Sequence, residues 1–201
     1  DKVKDKWNLW LFNINGNING NGQEYSRAFF FNSNISANRT SEKNRFETGF
    51  FQFGNFQSYK IDDSTTINSS ANNFGAYSFD AISVGKRLAI GYFSTYYSST
   101  VQNLVNSTSF YPAVEYNVFP YEEATRRQLR FNYRIGGRYV DFYNLTYLNK
   151  YNDWYFLHSL VISYKQVEKW GSISCNIGTF HYFKKERFYR VNISPDISWN
   201  I

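Results

Sequence analysis

Between Gln128 and Tyr139 apolar and polar side chains alternate almost without a break. Leu129, Phe131, Tyr133, Ile135 and Tyr139 occupy odd positions, and Gln128, Arg130, Asn132, Arg134 and Arg138 even ones. A period of two belongs to a β-strand, whose successive side chains leave opposite faces of the pleat, and excludes an amphipathic helix. At about 3.3 Å per residue the stretch reaches roughly 40 Å, enough for a tilted crossing of a bilayer's hydrocarbon layer.

The same pattern recurs along the chain and predicts about ten strands. The first carries Trp10, Phe12, Ile14 and Ile18 against Asn13, Asn15, Asn17 and Asn19, an amide-lined face, before Gly16, Gly20 and Gly22 loosen it into a turn. The second sets Phe29, Phe31, Ile35 and Ala37 against Asn32, Asn34, Ser36 and Asn38. In the third, Phe46, Thr48 and Phe50 oppose Arg45 and Glu47, and the adjacent Phe50 and Phe51 predict a bulge, because one extra residue swaps the faces. A fourth strand is placed at Phe74 to Val84, a fifth carries Leu88, Ile90, Tyr92 and Tyr96, and a sixth presents Phe110, Val114, Tyr116 and Val118 opposite Tyr111, Ala113, Glu115 and Asn117. After the seventh, around Gln128 to Tyr139, an eighth holds Leu160, Ile162 and Tyr164 against Ser159, Ser163 and Lys165, and a ninth carries Ile173, Cys175 and Ile177, closed by Lys184-Lys185-Glu186. The last sets Tyr189, Val191, Ile193, Ile197 and Trp199 against Arg190, Asn192, Ser194, Asp196, Ser198 and Asn200. Pro195 removes a ladder donor there, which calls for a bulge or an incomplete seam.

Composition decides which way such strands face. Aromatics make up 21% of the 201 residues, yet hydrophobic residues reach only 42% and mean hydropathy is −0.54. Tyrosine and tryptophan suit places where one end of the ring is dry and the other wet, and a membrane barrel has two such belts. Trp10, Trp154, Trp170 and Trp199 fall near strand ends, as a girdle requires. No stretch approaches the roughly 18 uninterrupted apolar residues of a spanning helix, so any crossing is made by strands.

Asp62 to Asn73, Ser99 to Ser109 and Tyr143 to Asp153 read as long polar loops, whereas Arg39 to Asn44, Gly85-Lys86-Arg87, Pro120 to Arg127 and Glu168 to Gly171 read as short turns. Short and long connections then alternate, the asymmetry of outer-membrane barrels, with both termini periplasmic. The expected fold is all-β: an antiparallel up-and-down transmembrane β-barrel, one domain over residues 1–201. A soluble lipocalin-like barrel shares the topology but points its apolar side chains inward.

The segment Ala113-Val114-Glu115-Tyr116-Asn117-Val118-Phe119-Pro120-Tyr121-Glu122-Glu123-Ala124-Thr125-Arg126-Arg127 resembles one found in uncharacterised outer-membrane β-barrel proteins of Bacteroidota. Asp5-Lys6-Trp7-Asn8 and Trp170-Gly171-Ser172-Ile173-Ser174 are similar to others in that group. The resemblance implies a bacterial outer-membrane location and no particular activity. It also implies a longer parent chain, with a preceding domain and about twelve strands. The start at Asp1 and the absence of Met agree with a processed chain or a portion of a longer one.

On this reading Arg130, Arg134, Arg138, Glu115, Glu47, Arg190 and Asp196 line the lumen, and Leu129, Phe131, Tyr133, Ile135, Tyr189, Val191, Ile193 and Trp199 face lipid. The arginine ladder either biases a narrow pore toward anions or pairs with Glu47, Glu115, Asp141 or Asp196 and fills the interior. The first expectation is an anchor or accessory subunit of an envelope complex, contacting outer-membrane lipid and, through the loops at 62–73 and 143–153, protein partners. A barrel hydrolase would need His158 or His181 beside Ser159, Ser163 or Ser172, without any nucleophile-elbow motif to support it. The single Cys175 excludes an internal disulfide and a cysteine-based metal site, and no cofactor motif is present. The net charge of +6 is scattered rather than gathered, which argues against nucleic acid as a partner.

Overall fold

A computed structural model describes residues 7–41, 43–183 and 189–199 of the chain; Asp5, Lys6, the turn at Lys184-Lys185-Glu186 and Asn200 lie outside them. It is a single antiparallel sheet of ten strands in sequence order: β1 (Trp10–Gly22), β2 (Ser26–Thr40), β3 (Asn44–Lys60), β4 (Thr66–Ser83), β5 (Leu88–Ser99), β6 (Leu104–Asn117), β7 (Arg127–Phe142), β8 (Asn152–Glu168), β9 (Gly171–Tyr182) and β10 (Tyr189–Trp199). A short 3-10 turn, Tyr121–Glu123, sits between β6 and β7. Every strand pairs with its neighbours in the chain, the up-and-down arrangement that consecutive alternating strands joined by short turns produce most directly. The sheet is not closed. β1 and β10 each have one hydrogen-bonded neighbour.

Register assigns every side chain to one of two faces: one mixes polar groups with the rings of Phe51, Phe79 and Phe93 and the buried Ala89, Ala113, Val140 and Leu157, and the other is largely apolar. One face carries Asn15, Asn17, Asn32 and Asn34 on β1 and β2, Glu115 and Asn117 on β6, Arg130, Asn132, Arg134 and Arg138 on β7, and Ser159 and Ser163 on β8. Its central part is buried: Asn117 is 0% exposed, Glu115 6% and Ser159 2%. Among the described residues no second layer covers it. A lone sheet buries one face only by curling toward that face, so that side chains of non-adjacent strands meet. Arg45 on β3 reaches Glu115 on β6, and Arg134 on β7 lies over the ring of Phe93 on β5. The convex face carries Ile14, Ile35, Phe50, Ile90, Phe110, Val114, Tyr133, Ile135, Val191 and Ile193, all exposed.

Several sequence expectations change. The polar runs at 62–73 and 99–109 are mostly strand: β4 begins at Thr66 and β6 at Leu104, leaving connections 61–65 and 100–103. Serines, threonines and asparagines there extend because each finds a ladder partner, as Ser69 does opposite Gln57 and Asn68 opposite Ser58. Polar composition marks loops only where water competes for the backbone, and a strand with one polar face satisfies that composition equally well. The alternation of short and long connections goes with them. The longest, 118–126 and 143–151, lie at opposite ends of the sheet. Gly16, Gly20 and Gly22 stay within β1, and the turn comes after them at 23–25.

There is no bulge at Phe50 and Phe51, because β3 pairs continuously with both β2 and β4. Phe50 turns to the convex face. Phe51 turns inward over Gly75, where an added Cβ would stand 2.5 Å from the phenyl ring, so glycine on the neighbouring strand makes room for a phenylalanine on the polar side. The irregularities fall instead between Tyr97 and Ser99 on β5 and between Leu104 and Asn106 on β6. Pro195 sits in β10, an edge strand that runs in unbroken register with β9. An edge is where a residue without an N–H is tolerated.

Candidate functional site: the polar face

Glu115 is the hub of the polar face. Its Oε2 lies 3.6 Å from a terminal nitrogen of Arg130 and 3.9 Å from one of Arg45, and it accepts a hydrogen bond from Asn132 Nδ2 at 3.4 Å. Arg134 donates from Nε to Asn132 Oδ1 at 2.6 Å and lies 4.9 Å above the ring of Phe93, while Arg45 lies 4.8 Å above Phe79. Three guanidiniums from two strands thus gather about one carboxylate. Each supplies up to five N–H donors and stays charged, so the cluster keeps an excess of positive charge and of donors. Glu47 lies on the same face as Arg45 but accepts from the Tyr77 hydroxyl at 3.0 Å. Beside the cluster, Asn117, opposite Arg130, is fully buried with neither amide atom hydrogen-bonded.

All seven residues expected to share the polar face do so, but they form no single site. Arg130 and Glu115 meet, and Arg134 joins them through Asn132. Arg138 stands apart, donating from Nε to Ser107 Oγ at 2.7 Å. On the exposed β10, Arg190 donates to Asn192 Oδ1 at 3.0 Å, and among the described residues Asp196 forms no ion pair. Asp141 is no partner for the ladder: it accepts from Tyr139 and Asn106 on the other face. Sequence reasoning missed Arg45. Its alternation with Phe46 and its neighbour Glu47 gave its face, but only the curl of the sheet brings β3 within reach of β6.

Leu129, Phe131, Tyr133, Ile135, Tyr189, Val191, Ile193 and Trp199 share the convex face with Trp10 and Trp154. Trp10 packs on Phe12 and Phe46, and Trp170 on Trp199, at the end of the sheet where β1 begins; Tyr139, Trp154 and Phe156 cluster at the other end. Three hydroxyls on this face donate to main-chain carbonyls of the adjacent strand: Thr48 to Tyr77, Ser94 to Ser109 and Thr179 to Leu160, at 2.9, 3.0 and 3.3 Å. A hydroxyl returned to the backbone needs no water.

His158 and His181 lie opposite each other on this same convex face, their Nε2 and Nδ1 atoms 3.1 Å apart, with Phe183 stacked on His158. Ser159, Ser163 and Ser172 point to the polar face, so the serine–histidine pairs a hydrolase would use do not form. Among the described residues no group of three or more His, Cys, Asp or Glu is placed to hold a metal ion. Compared with protein-family models, curated proteins and solved structures, the chain matches none.

Proposed function

We propose that this chain is an outer-membrane β-barrel that serves as an anchor or accessory subunit of an envelope assembly. The observation that carries the reading is the inversion of the two faces. A soluble sheet hides its phenylalanines and wets its arginines; here exposed rings and aliphatics cover the convex side, while Glu115, Asn117 and Asn132 are buried and Arg130 and Arg134 half-buried on the concave side. The dimensions support it. Trp154 and Tyr164 stand ten residues apart on the convex face of β8, roughly 33 Å along the strand and about 25 Å in height at a tilt near 40°. An outer-membrane barrel's apolar band is about 25 Å tall.

An even number of strands puts the start of β1 and the end of β10 on one side, which in this reading is the periplasm. Closure requires the free edges of β1 and β10 to be covered, by each other or by further strands. Filling by the Arg45, Glu115, Arg130, Asn132 and Arg134 network favours a plugged interior over an open pore. The test is twofold. A barrel folded in detergent shifts its gel migration on boiling, and a chain that never shows the shift is not one. In planar bilayers the anchor is silent, whereas steady anion-selective current assigns the pore instead.

A further inference from the structure

We propose that the cleft beside Arg138 on the polar face binds a small sugar acid, with the ligand's carboxylate on the guanidinium. The cleft has a volume of about 330 Å³ and is walled by five consecutive strands, from Phe51 on β3 to Arg138 on β7. That size is at the small end of ligand pockets, which run from about 300 to 1,000 Å³, and suits one ring rather than a chain of them.

Charge comes first. Arg138 spends Nε on Ser107, and among the described residues no carboxylate lies within ion-pair distance of it. Glu115 is already committed to Arg45 and Arg130. The guanidinium therefore keeps donors on a planar edge whose natural complement is a carboxylate gripped by two parallel hydrogen bonds. The walls decide what the carboxylate is attached to. Phe51 and Tyr97 present rings with centroids 6.2 Å apart, and on the same cleft Thr95 and Ser109 pair their hydroxyls at 2.6 Å. Aromatic faces beside hydroxyls that both donate and accept match a pyranose, which has apolar C–H faces and a hydroxyl rim. Benzoate would engage the rings and the arginine but leave the hydroxyls without exchange partners. Glucose would leave the cation uncompensated, and inorganic phosphate would leave the rings bare. Each mismatched ligand forgoes contacts that a sugar acid makes with the same walls. Arg138 stands four residues from the end of β7, so a ligand entering at that end of the sheet travels only about 13 Å along the strand.

This inference rests on the polar face being the water-filled side of the proposed barrel, and the experiment separates the two. Full-length chain folded in detergent micelles is titrated with glucuronate, glucose and benzoate by calorimetry, with tyrosine and tryptophan fluorescence as a second readout. Glucuronate is expected to bind at least tenfold tighter than either of the others. Arg138→Gln should weaken glucuronate binding by roughly 10- to 100-fold, and Arg138→Lys by less, because one charge-assisted contact is at stake. Glucuronate binding no tighter than glucose, or unchanged by Arg138→Gln in a folded variant, overturns the proposal. The comparison of the three ligands on the unmodified protein decides the matter even if both variants fail to fold. Arg138-dependent binding in a protein without heat-modifiable migration would keep the site and discard the barrel.

Discussion

Leu160→Arg tests which medium meets the convex face. Leu160 lies on that face of β8, opposite Tyr133 and Thr179, six residues from Trp154 and four from Tyr164. Along the strand these separations are roughly 20 and 13 Å, or about 15 and 10 Å of depth at a barrel-like tilt near 40°, which puts Leu160 close to the middle of the proposed apolar band. An arginine at the bilayer midplane of a barrel costs about 2–4 kcal/mol, a factor of roughly 30 to 1,000 in the folding equilibrium. The same substitution on a water-exposed face stays within about 0.5 kcal/mol. Asn192→Arg, on the polar face of the exposed β10, is the control and should change little. Reversible denaturant unfolding in lipid vesicles measures both. A Leu160→Arg variant as stable as the parent would refute the assignment of this face to acyl chains.

Glu115→Leu removes the one carboxylate between Arg45 and Arg130 and should cost about 1–3 kcal/mol, Glu115→Gln less, read as the shift in denaturation midpoint in micelles. Gly91→Ala would drive a Cβ to within 1.8 Å of the Asp80 carbonyl oxygen on β4 and should destabilise by about 1–3 kcal/mol or more, whereas Gly16→Ala, with nothing closer than 3.8 Å, should be neutral or slightly stabilising; thermal melts of the two variants make the comparison. In the connection 61–65, hydrogen bonds from Ser64 and then Thr65 hold the Asp62 carboxyl below the usual aspartate range. The folded form therefore holds its proton less tightly than the unfolded one. Its contribution is complete above the ordinary aspartate pKa of about 3.9 and disappears as pH falls through the lowered value. Amide protection at Ser64 and Thr65, taken relative to intrinsic exchange at each pH, should fall over that acidic range, and Asp62→Asn should abolish that fall.

The faces of the sheet were legible in the sequence because side-chain direction in a strand is local: position parity alone puts Arg130, Arg134 and Arg138 on one side and Phe131, Tyr133 and Ile135 on the other. Strand limits were less legible. The Ser- and Asn-rich stretch 66–73 alternates too weakly to announce β4, and its extension is decided by pairing with β3, a partner that local pattern does not specify. The same holds at Phe50 and Phe51, where two adjacent rings imitate a bulge until Gly75 on the neighbouring strand is seen to make space for one of them.

Order and period, then, settled that this chain is an antiparallel, two-faced sheet of about ten strands, because both are written residue by residue. That Glu115 meets Arg130 follows from the pairing of β6 with β7, but that Arg45 joins them was decided by curvature. Arg45 and Glu115 are 70 positions apart and three strands distant, and only bending of the sheet toward its polar side brings them to 3.9 Å. The same bending opens the cleft beside Arg138 without pairing β1 to β10, since closure is a property of the accumulated twist and coil of all the strands and no single strand encodes it.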